Sequence, residues 1–387
     1  QVAREMAQEM EESAAQVDDP GLPTGTLIKD VHKELRSDVR CILEKVGNGT
    51  FGDVYEAYHP SAGRTDAVKV VRLVDRRGKP LDDAERIERL QSQVDEAEIM
   101  LELGLHPNIV AIRGILLLRS MQDSSGEAVA DNLYVFMDYV QGGMTLAGCI
   151  EKIDMEIKTK IRVGRDVANG LVYIRQRFPN NKFTHWDVKP SNILVECCRD
   201  GGGNLTPKTA KISDFGVATT SAYASPETTH RGLGSELAAK TQHQWSWATT
   251  FMATLIGKRS WNEYVQAVYE LQRQLHFAQQ RDDEDGRLYL SCLQLCENCM
   301  DSDPKLRCSM ESVVGELSRM LGDTDDGALR VIERDRMELW KLHTNIGDIL
   351  FRHLTKSSED YVRALGHLVA AKRLAAEIEG EESSLFA

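Results

Sequence analysis

Three polar residues stand at fixed offsets within residues 184–195, just before an apolar β-branched run. Asp187 could accept a proton from a hydroxyl group, and Lys189 could neutralise a phosphate during its transfer. The side-chain carbonyl oxygen of Asn192 could bind a metal ion. The apolar run that follows predicts a strand. Taken alone, such a stretch is more often a plain polar loop, so its chemistry depends on the rest of the chain.

A second acid follows in Ile212-Ser213-Asp214-Phe215-Gly216, at a predicted strand end and before a conformationally permissive glycine. With both stretches present, the chain resembles the protein kinase superfamily. Residues 185–192 match its catalytic loop, and the Asp214 stretch matches its magnesium-binding motif. The resemblance implies that Asp187 receives the hydroxyl proton and that Lys189 steadies the γ-phosphate. It also implies that Asn192 and Asp214 carry Mg²⁺.

A glycine-rich loop is the next part that phosphoryl transfer requires, and residues 47–54 read G-x-G-x-x-G-x-V. On its own this pattern also marks dinucleotide-binding folds, in which a helix follows. Here residues 54–58 predict a strand, which favours a hairpin whose backbone amides approach phosphates closely. The resemblance assigns nucleotide contacts to Gly47, Asn48, Gly49, Gly52 and Val54.

A lysine lies inside the next predicted strand, residues 67–71. Its stem could simply cross an edge strand. The resemblance instead makes Lys69 the residue that grips the α- and β-phosphates of ATP, with Ala67 beside the nucleotide.

Such a lysine needs a carboxylate partner to orient it, and the charged helix predicted over residues 81–105 offers two. Aligning the apolar pair Ile99-Met100 with the inward face of this helix directs Glu96 towards Lys69. Glu98 is the alternative, and Glu96 is favoured.

The stretch between the two halves of the pattern resembles the hinge of the family. Residues 133–140 predict a strand, in which Met137 would guard the back of the nucleotide pocket. The backbone of Asp138 to Val140 would then hydrogen-bond adenine. Further on, apolar spacing predicts a helix over residues 157–177, and three glycines predict a hairpin over residues 197–209.

Three departures from the family pattern bear on activity. Trp186 replaces the usual arginine, and the segment from Asp214 to Glu227 has only 14 residues. Since tryptophan cannot bind a phosphate group, we predict that activity does not require phosphorylation of Thr219, Thr220 or Ser221. In addition, His243 replaces an aspartate that normally braces the catalytic loop, which puts that brace in doubt.

Composition limits the classes of protein that remain. The chain has 387 residues, 42% of them hydrophobic, so it can bury a sizeable core. A net charge of −13 argues against nucleic acid or an anionic membrane as the main partner, and no apolar run is long enough to span a bilayer. The eight scattered cysteines favour reduced thiols in a cytoplasmic protein. Cys292, Cys296 and Cys299 could be metal ligands, but their spacing is that of one buried helix face.

The last 60 residues show a different pattern. Tyr361, Ala364, Leu368 and Ala371 recur at helical spacing, which is similar to one tetratricopeptide helix pair. A plain amphipathic hairpin explains the spacing equally well. Because a single repeat cannot bury both of its faces, we expect further repeats or docking onto the kinase lobe. The helices would then serve a protein partner.

The prediction is an α+β protein with the bilobal protein kinase fold, a small β-rich N-lobe and a larger helical C-lobe, followed by an α-helical hairpin. The predicted regions are a lead or linker (1–37), a kinase domain (38–321, with lobes at about 38–138 and 143–321) and a helical segment (328–387). Since the chain opens on Gln1, we expect it to be part of a longer protein. The resemblance implies transfer of the γ-phosphate of Mg-ATP to serine or threonine hydroxyls of a protein substrate. Lys189, two residues after Asp187, and Thr220, three before Tyr223, favour this acceptor class. The alternative is a pseudokinase scaffold that presents the C-terminal helices.

Overall fold

The computed structural model describes the chain in the following ranges: 27–30, 38–49, 52–74, 80–118, 132–179, 183–201, 203–216, 223, 225–226, 236–258, 264–323, 334–354 and 357–385. These residues form two compact units. The first, called here the N-lobe, contains the described residues up to 104, those between 111 and 139 and those from 334 onward. The second, called the C-lobe, contains residues 105–110 and the described residues from 140 to 323.

The N-lobe is built on an antiparallel sheet of six strands in the order β1-β2-β3-β4-β6-β5. The strands are β1 Leu27–Asp30, β2 Asp38–Gly49, β3 Gly52–His59, β4 Arg64–Arg72, β5 Ile112–Leu118 and β6 Asn132–Asp138. Alternation along β3 and β4 buries one face of the sheet, and with residues of β6 this face forms an apolar cluster that includes Tyr55, Val68 and Phe136. The opposite face carries the candidate nucleotide residues.

Strand β1 corrects the expectation that residues 1–37 are only a lead or linker. Leu27–Asp30 pairs in antiparallel register with Asp38–Cys41 at the edge of the sheet. The sequence gives little signal for this strand, because four residues are too few to show an alternating pattern and two of them are charged.

Helix α1, Asp83–Leu103, follows β4 as predicted. The side chain of Asp82 caps its first turn by accepting from the N–H of Glu85 at 2.9 Å. The helix ends at Gly104, whose φ of 72° a residue with a side chain rarely adopts. Its buried residues recur at the spacing of one helix face, so the orientation of α1 about its own axis is fixed by packing.

The C-lobe combines a small sheet with six helices among its described residues. The sheet has the order β7-β8-β9, with β7 Met144–Thr145, β8 Ile193–Arg199 and β9 Leu205–Ile212. The helices are α2 Leu146–Lys152, α3 Ile157–Arg177, α4 Glu236–Ile256, α5 Tyr264–Ala278, α6 Glu284–Cys299 and α7 Met310–Leu321. Helix α3 packs against α4, α7 and β9, and both the predicted helix over 157–177 and the β8–β9 hairpin are confirmed.

Helix α6 decides between the two interpretations of its cysteines. Cys292, Cys296 and Cys299 are all buried on this helix, and burial raises the pKa of Cys292 to about 12. Burial on one helix face is what the spacing of these cysteines predicts. Within the described ranges, no cluster of three or more His, Cys, Asp or Glu side chains could hold a metal ion.

The C-terminal helices belong to the N-lobe. Helix α8, Arg336–Ile349, continues through a π-helical turn, Leu350–Leu354, and helix α9, Ser358–Leu385, returns along it. Helix α8 packs against β5 and α1. Docking onto the kinase lobe was one of the two expectations for this segment, and the structure shows it. Searching the described helices for one that is both long and apolar enough to cross a membrane finds none.

Candidate active site

The glycine-rich stretch forms a β-hairpin, which excludes the dinucleotide interpretation. Gly47, Asn48 and Gly49 end β2, and they pair with Val54, Asp53 and Gly52 at the start of β3. Residues 50 and 51 lie outside the described residues. At Gly52 an added Cβ would lie 1.9 Å from the carbonyl oxygen of Val70, so only glycine permits this approach of two backbones.

The predicted nucleotide residues of the N-lobe share one face of the sheet. Val54 pairs with Lys69 across β3 and β4, and Ala67 pairs with Met137 across β4 and β6. Lys69 and Ala67 are two residues apart on one strand, so all four side chains project from the same face. None of the four is fully buried, unlike the apolar cluster on the opposite face.

The carboxylate beside Lys69 is that of Glu96. The Nζ atom of Lys69 donates to Oε2 of Glu96 at 3.1 Å, and both side chains are largely shielded, at 12% and 9% exposure. The alternative, Glu98, is bonded instead to Arg363 and His367 of helix α9. The structure therefore separates two carboxylates that the sequence leaves nearly equivalent.

The backbone groups assigned to adenine are partly in use. The N–H of Asp138 donates to the carbonyl of Ala111 at 2.9 Å, so a contact with adenine would have to use the Asp138 carbonyl. The carbonyl of Val140 accepts from the N–H of Gly143 at 2.8 Å, so Val140 would have to offer its N–H.

The catalytic-loop residues of the C-lobe converge on one carboxylate oxygen. Oδ2 of Asp187 accepts from Nζ of Lys189 at 2.5 Å and from Nδ2 of Asn192 at 2.9 Å. Asn192 ends a short 3₁₀ turn that Pro190 begins, and its side chain also donates to the Asp187 carbonyl at 3.0 Å. Oδ1 of Asp187 is buried and has no hydrogen-bond partner among the described residues.

The two predicted metal ligands are held at the end of the β8–β9 hairpin. The N–H and the hydroxyl of Ser213 both donate to the carbonyl of Asn192 at 2.9 Å, which fixes Asp214 one residue further along. The Asp214 backbone has a φ of 63°, and its side chain is exposed. Nδ2 of Asn192 is committed to Asp187, and Oδ1 accepts one long bond of 3.4 Å from the Ser191 hydroxyl, so a lone pair of Oδ1 remains for a metal. Mg²⁺ binds through few protein oxygens and keeps its other ligands from water and phosphate, so this pair fits it.

Helix α4 braces the catalytic loop despite the replacement at position 243. The backbone N–H of His185 donates to Nε2 of His243 at 3.1 Å. Burial lowers the pKa of His243 to about 3, so the ring is neutral and Nε2 offers a lone pair. The doubt raised by the missing aspartate is thereby removed, because a neutral imidazole supplies the acceptor.

Two further residues of α4 hold the same loop, and the sequence interpretation missed both. Nε2 of Gln242 donates to the carbonyl of Trp186 at 3.3 Å, and its Oε1 accepts from the N–H of Ser225 at 2.9 Å. The hydroxyl of Thr250 donates to the carbonyl of Val188 at 3.3 Å. A signal was present, because polar residues in a helix that is buried on all sides must have partners.

The buried ring of His185 links the loop to the metal end of the hairpin. Its Nε2 hydrogen-bonds to the carbonyl of Ser213 at 3.2 Å, and its ring lies 5.1 Å from that of Phe215 in an edge-on contact. Burial lowers the pKa of His185. The N–H of Asp187 donates to Nδ1 of His185 at 3.3 Å. One imidazole therefore holds the backbone at Asp187 and at Ser213, the residue before Asp214. The predicted phosphorylation positions and Glu227 lie outside the described residues.

The sequence itself matches the model of one protein family. The protein kinase domain model covers residues 41–316. Serine/threonine-protein kinase SSK22 of Saccharomyces cerevisiae is 27% identical over 293 residues, which is 68% of this chain and 20% of the relative. Mitogen-activated protein kinase kinase kinase YODA of Arabidopsis thaliana is 26% identical over 268 residues, which is 64% of this chain and 26% of the relative. MAP kinase kinase kinase wis4 of Schizosaccharomyces pombe is 30% identical over 200 residues, which is 51% and 12% of the two chains.

The chain therefore spans about a quarter or less of the length of these relatives. Among solved structures, the kinase domain of Mycobacterium tuberculosis PknI is similar at a TM-score of 0.45 and 17% identity, covering 73% of this chain and 95% of that one. The family model covers most of the sequence and spans both lobes. The chain belongs to the protein kinase family.

Proposed function

We propose that the chain transfers the γ-phosphate of ATP to a serine or threonine hydroxyl of a protein substrate, with Mg²⁺ as cofactor. The observation that carries this proposal is the asymmetric Asp187 carboxylate. One of its oxygens is held by Lys189 and Asn192, and the other is buried without a partner among the described residues. A carboxylate oxygen whose lone pairs are not committed to another donor can receive a hydroxyl proton.

In the proposed reaction, the substrate oxygen forms a bond to the γ-phosphorus while the bond to ADP breaks. The hydroxyl proton passes to Oδ1 of Asp187. Lys189 lies within reach of that carboxylate and neutralises charge on the transferring phosphate. When bound by Asn192 and Asp214, Mg²⁺ would neutralise charge on the phosphate oxygens.

The N-lobe supplies the residues that hold ATP in this proposal. Lys69 is oriented by Glu96 towards the α- and β-phosphates, and the Gly47–Gly52 hairpin presents backbone N–H groups to them. Met137 lines the adenine site together with the Asp138 carbonyl and the Val140 N–H. The Ser/Thr acceptor class rests on the position of Lys189 and on the curated relatives, one of which is named a serine/threonine-protein kinase. Eight free cysteines support a cytoplasmic protein.

The direct test is the transfer of labelled γ-phosphate from Mg-ATP to a generic basic protein. We expect transfer by the wild type and its loss in Asp187→Asn. Asp282→Asn is the matched control, since this carboxylate is fully exposed at 105%, and it should keep wild-type transfer. Equal label in the wild type and D187N, with ATP still raising the melting temperature of both, would establish the pseudokinase scaffold instead.

A further inference from the structure

Helix α1 presents acids on two different faces. Glu96 points to Lys69 of β4. Asp95 and Glu98 are three residues apart and therefore share another face, roughly 100–160° around the helix from Glu96. That second face is where the C-terminal segment of the chain meets α1.

Arg363 of helix α9 grips this second face. Its Nη2 donates to Oδ1 of Asp95 at 2.6 Å and also to Oε2 of Glu98. His367, one turn further along α9, contacts Oε1 of Glu98 at 2.9 Å. Burial raises the pKa of Glu98, but the bonds from His367 and Arg363 outweigh it, and the net pKa is lowered. The carboxylate thus stays ionised and paired.

The opposite end of the same hairpin is fixed to the sheet. Glu338 of α8 is 11% exposed and pairs with Arg64 of β4 and Arg113 of β5, each at 3.3 Å. Arg113 in turn pairs with Asp138 of β6 at 2.6 Å. Between the two ends, apolar side chains of α8 such as Leu342 and Ile346 are completely buried. The hairpin is therefore a rigid second connection between the sheet and α1.

Lys69 lies on the sheet and Glu96 lies on α1, so the distance between these two elements determines whether the Lys69–Glu96 ion pair forms. We propose that Arg363 is a positioning residue for phosphoryl transfer. By holding Asp95 and Glu98, it keeps α1 at the distance from β4 at which Glu96 orients Lys69. The C-terminal hairpin would then keep Lys69 in its active orientation, and displacing the hairpin from α1 would lower activity. This inference rests on the proposed kinase function.

The test is a double-mutant cycle between Arg363 and Glu96. Arg363→Ala should lower kcat/KM for ATP about tenfold, the size of effect found for residues coupled to a site through an intervening element. Arg363→Lys, which keeps the charge, should recover part of the loss. In a Glu96→Gln background, Arg363→Ala should have almost no further effect, because both changes disable the same lysine.

Arg373→Ala is the matched control. Arg373 lies on the same helix, is 83% exposed and pairs only locally with Glu377 among the contacts described, so its loss should leave kcat/KM unchanged. Should R363A unfold the protein, Glu98→Gln removes from α1 the negative charge that Arg363 and His367 pair with, at little change in volume. Wild-type kinetics of a folded R363A, or effects of R363A and E96Q that simply add, would overturn the proposal.

A second readout separates this proposal from the kinase function itself. Hydrogen exchange of the backbone amides in residues 83–103 should be faster in R363A than in the wild type and in R373A. If the wild type transfers no phosphate, the kinase proposal fails. Faster exchange in R363A would still establish that Arg363 holds α1 in place. Unchanged exchange in R363A would show that Arg363 does not hold α1, even if the enzyme is active.

Discussion

Replacing His243 tests whether a neutral imidazole holds the catalytic loop. In His243→Leu the backbone N–H of His185 loses its acceptor in a buried position, and an orphaned buried N–H costs about 1–3 kcal/mol. In His243→Gln the side-chain oxygen reaches about as far as Nε2 and can accept the same bond. At pH 7.5 we therefore expect H243L to lower the free energy of unfolding by about 1–3 kcal/mol and H243Q to lower it less.

The pH dependence of the free energy of unfolding provides a second test of the same residue. Burial lowers the pKa of His243 from 6.5 to about 3. Between these values only the unfolded chain takes up the proton, so stability is fully present above pH 6.5 and is lost as the pH falls towards 3. Each pH unit in this window removes about 1.4 kcal/mol. The wild type should thus lose roughly 3 kcal/mol relative to H243Q between pH 6.5 and pH 4.

Urea denaturation measures both effects. Tryptophan fluorescence reports unfolding, and two of the five tryptophans, Trp245 and Trp247, are buried on the same helix as His243. Transfer of labelled phosphate at pH 7.5 then shows whether kcat follows the order wild type, H243Q, H243L. If H243L proved as stable as the wild type at pH 7.5, the hydrogen bond would contribute nothing. If acid lowered the free energy of unfolding of the wild type and of H243Q equally, the conclusion that the buried His243 ring is neutral would be refuted.

Three further predictions concern two glycines of the β2–β3 hairpin, a buried acid and the candidate phosphorylation positions. Gly52→Ala should lower the melting temperature by several degrees, because the new Cβ would meet the carbonyl of Val70, whereas Gly47→Ala enters open space and should leave it unchanged in the same thermal scan. Burial raises the pKa of Asp166 from 3.8 to about 6, so stability falls as the pH rises from 4 to 6. Asp166→Asn, which can still accept from the N–H that Asp166 now binds, should abolish that fall and stabilise the protein by up to about 3 kcal/mol at pH 8 in urea titrations. Finally, Thr219, Thr220 and Ser221 are the candidate phosphorylation positions. A variant with alanine at all three should retain ATP binding and turnover in the phosphate-transfer assay. Loss of ATP binding would contradict this prediction.

Residues whose role depends on local sequence were predictable. The glycine hairpin, the Asp187 loop and the Asp214 turn each lie within one short stretch, so the sequence shows the spacing that carries the resemblance to the family. Glu96 and Glu98 stand on one helix, and only the rotation of that helix relative to β4 distinguishes them. The sequence favours one of the two but does not contain that rotation directly.

Other features depend on contacts between distant segments. A missing aspartate at position 243 suggests a lost brace when residue type alone is considered. The structure shows that the requirement is for an acceptor, which histidine meets once burial has made it neutral. Apolar spacing in residues 358–385 identifies a helix face but not its partner. The tetratricopeptide-like character of this segment stays a prediction.

The discontinuous N-lobe has a consequence for how the protein is made. Its sheet and α1 are complete by residue 139, but the helices that pack against β5 and α1 begin only at residue 336. At about 5–20 residues per second, a ribosome needs roughly 10–40 s to synthesise the intervening chain. During that time the apolar surface of β5 and α1 is exposed while the C-lobe emerges. Exposed apolar surface of this kind is what chaperones bind. If the C-terminal hairpin positions α1 as proposed above, the Lys69–Glu96 pair is held in place only after the last helices have been synthesised.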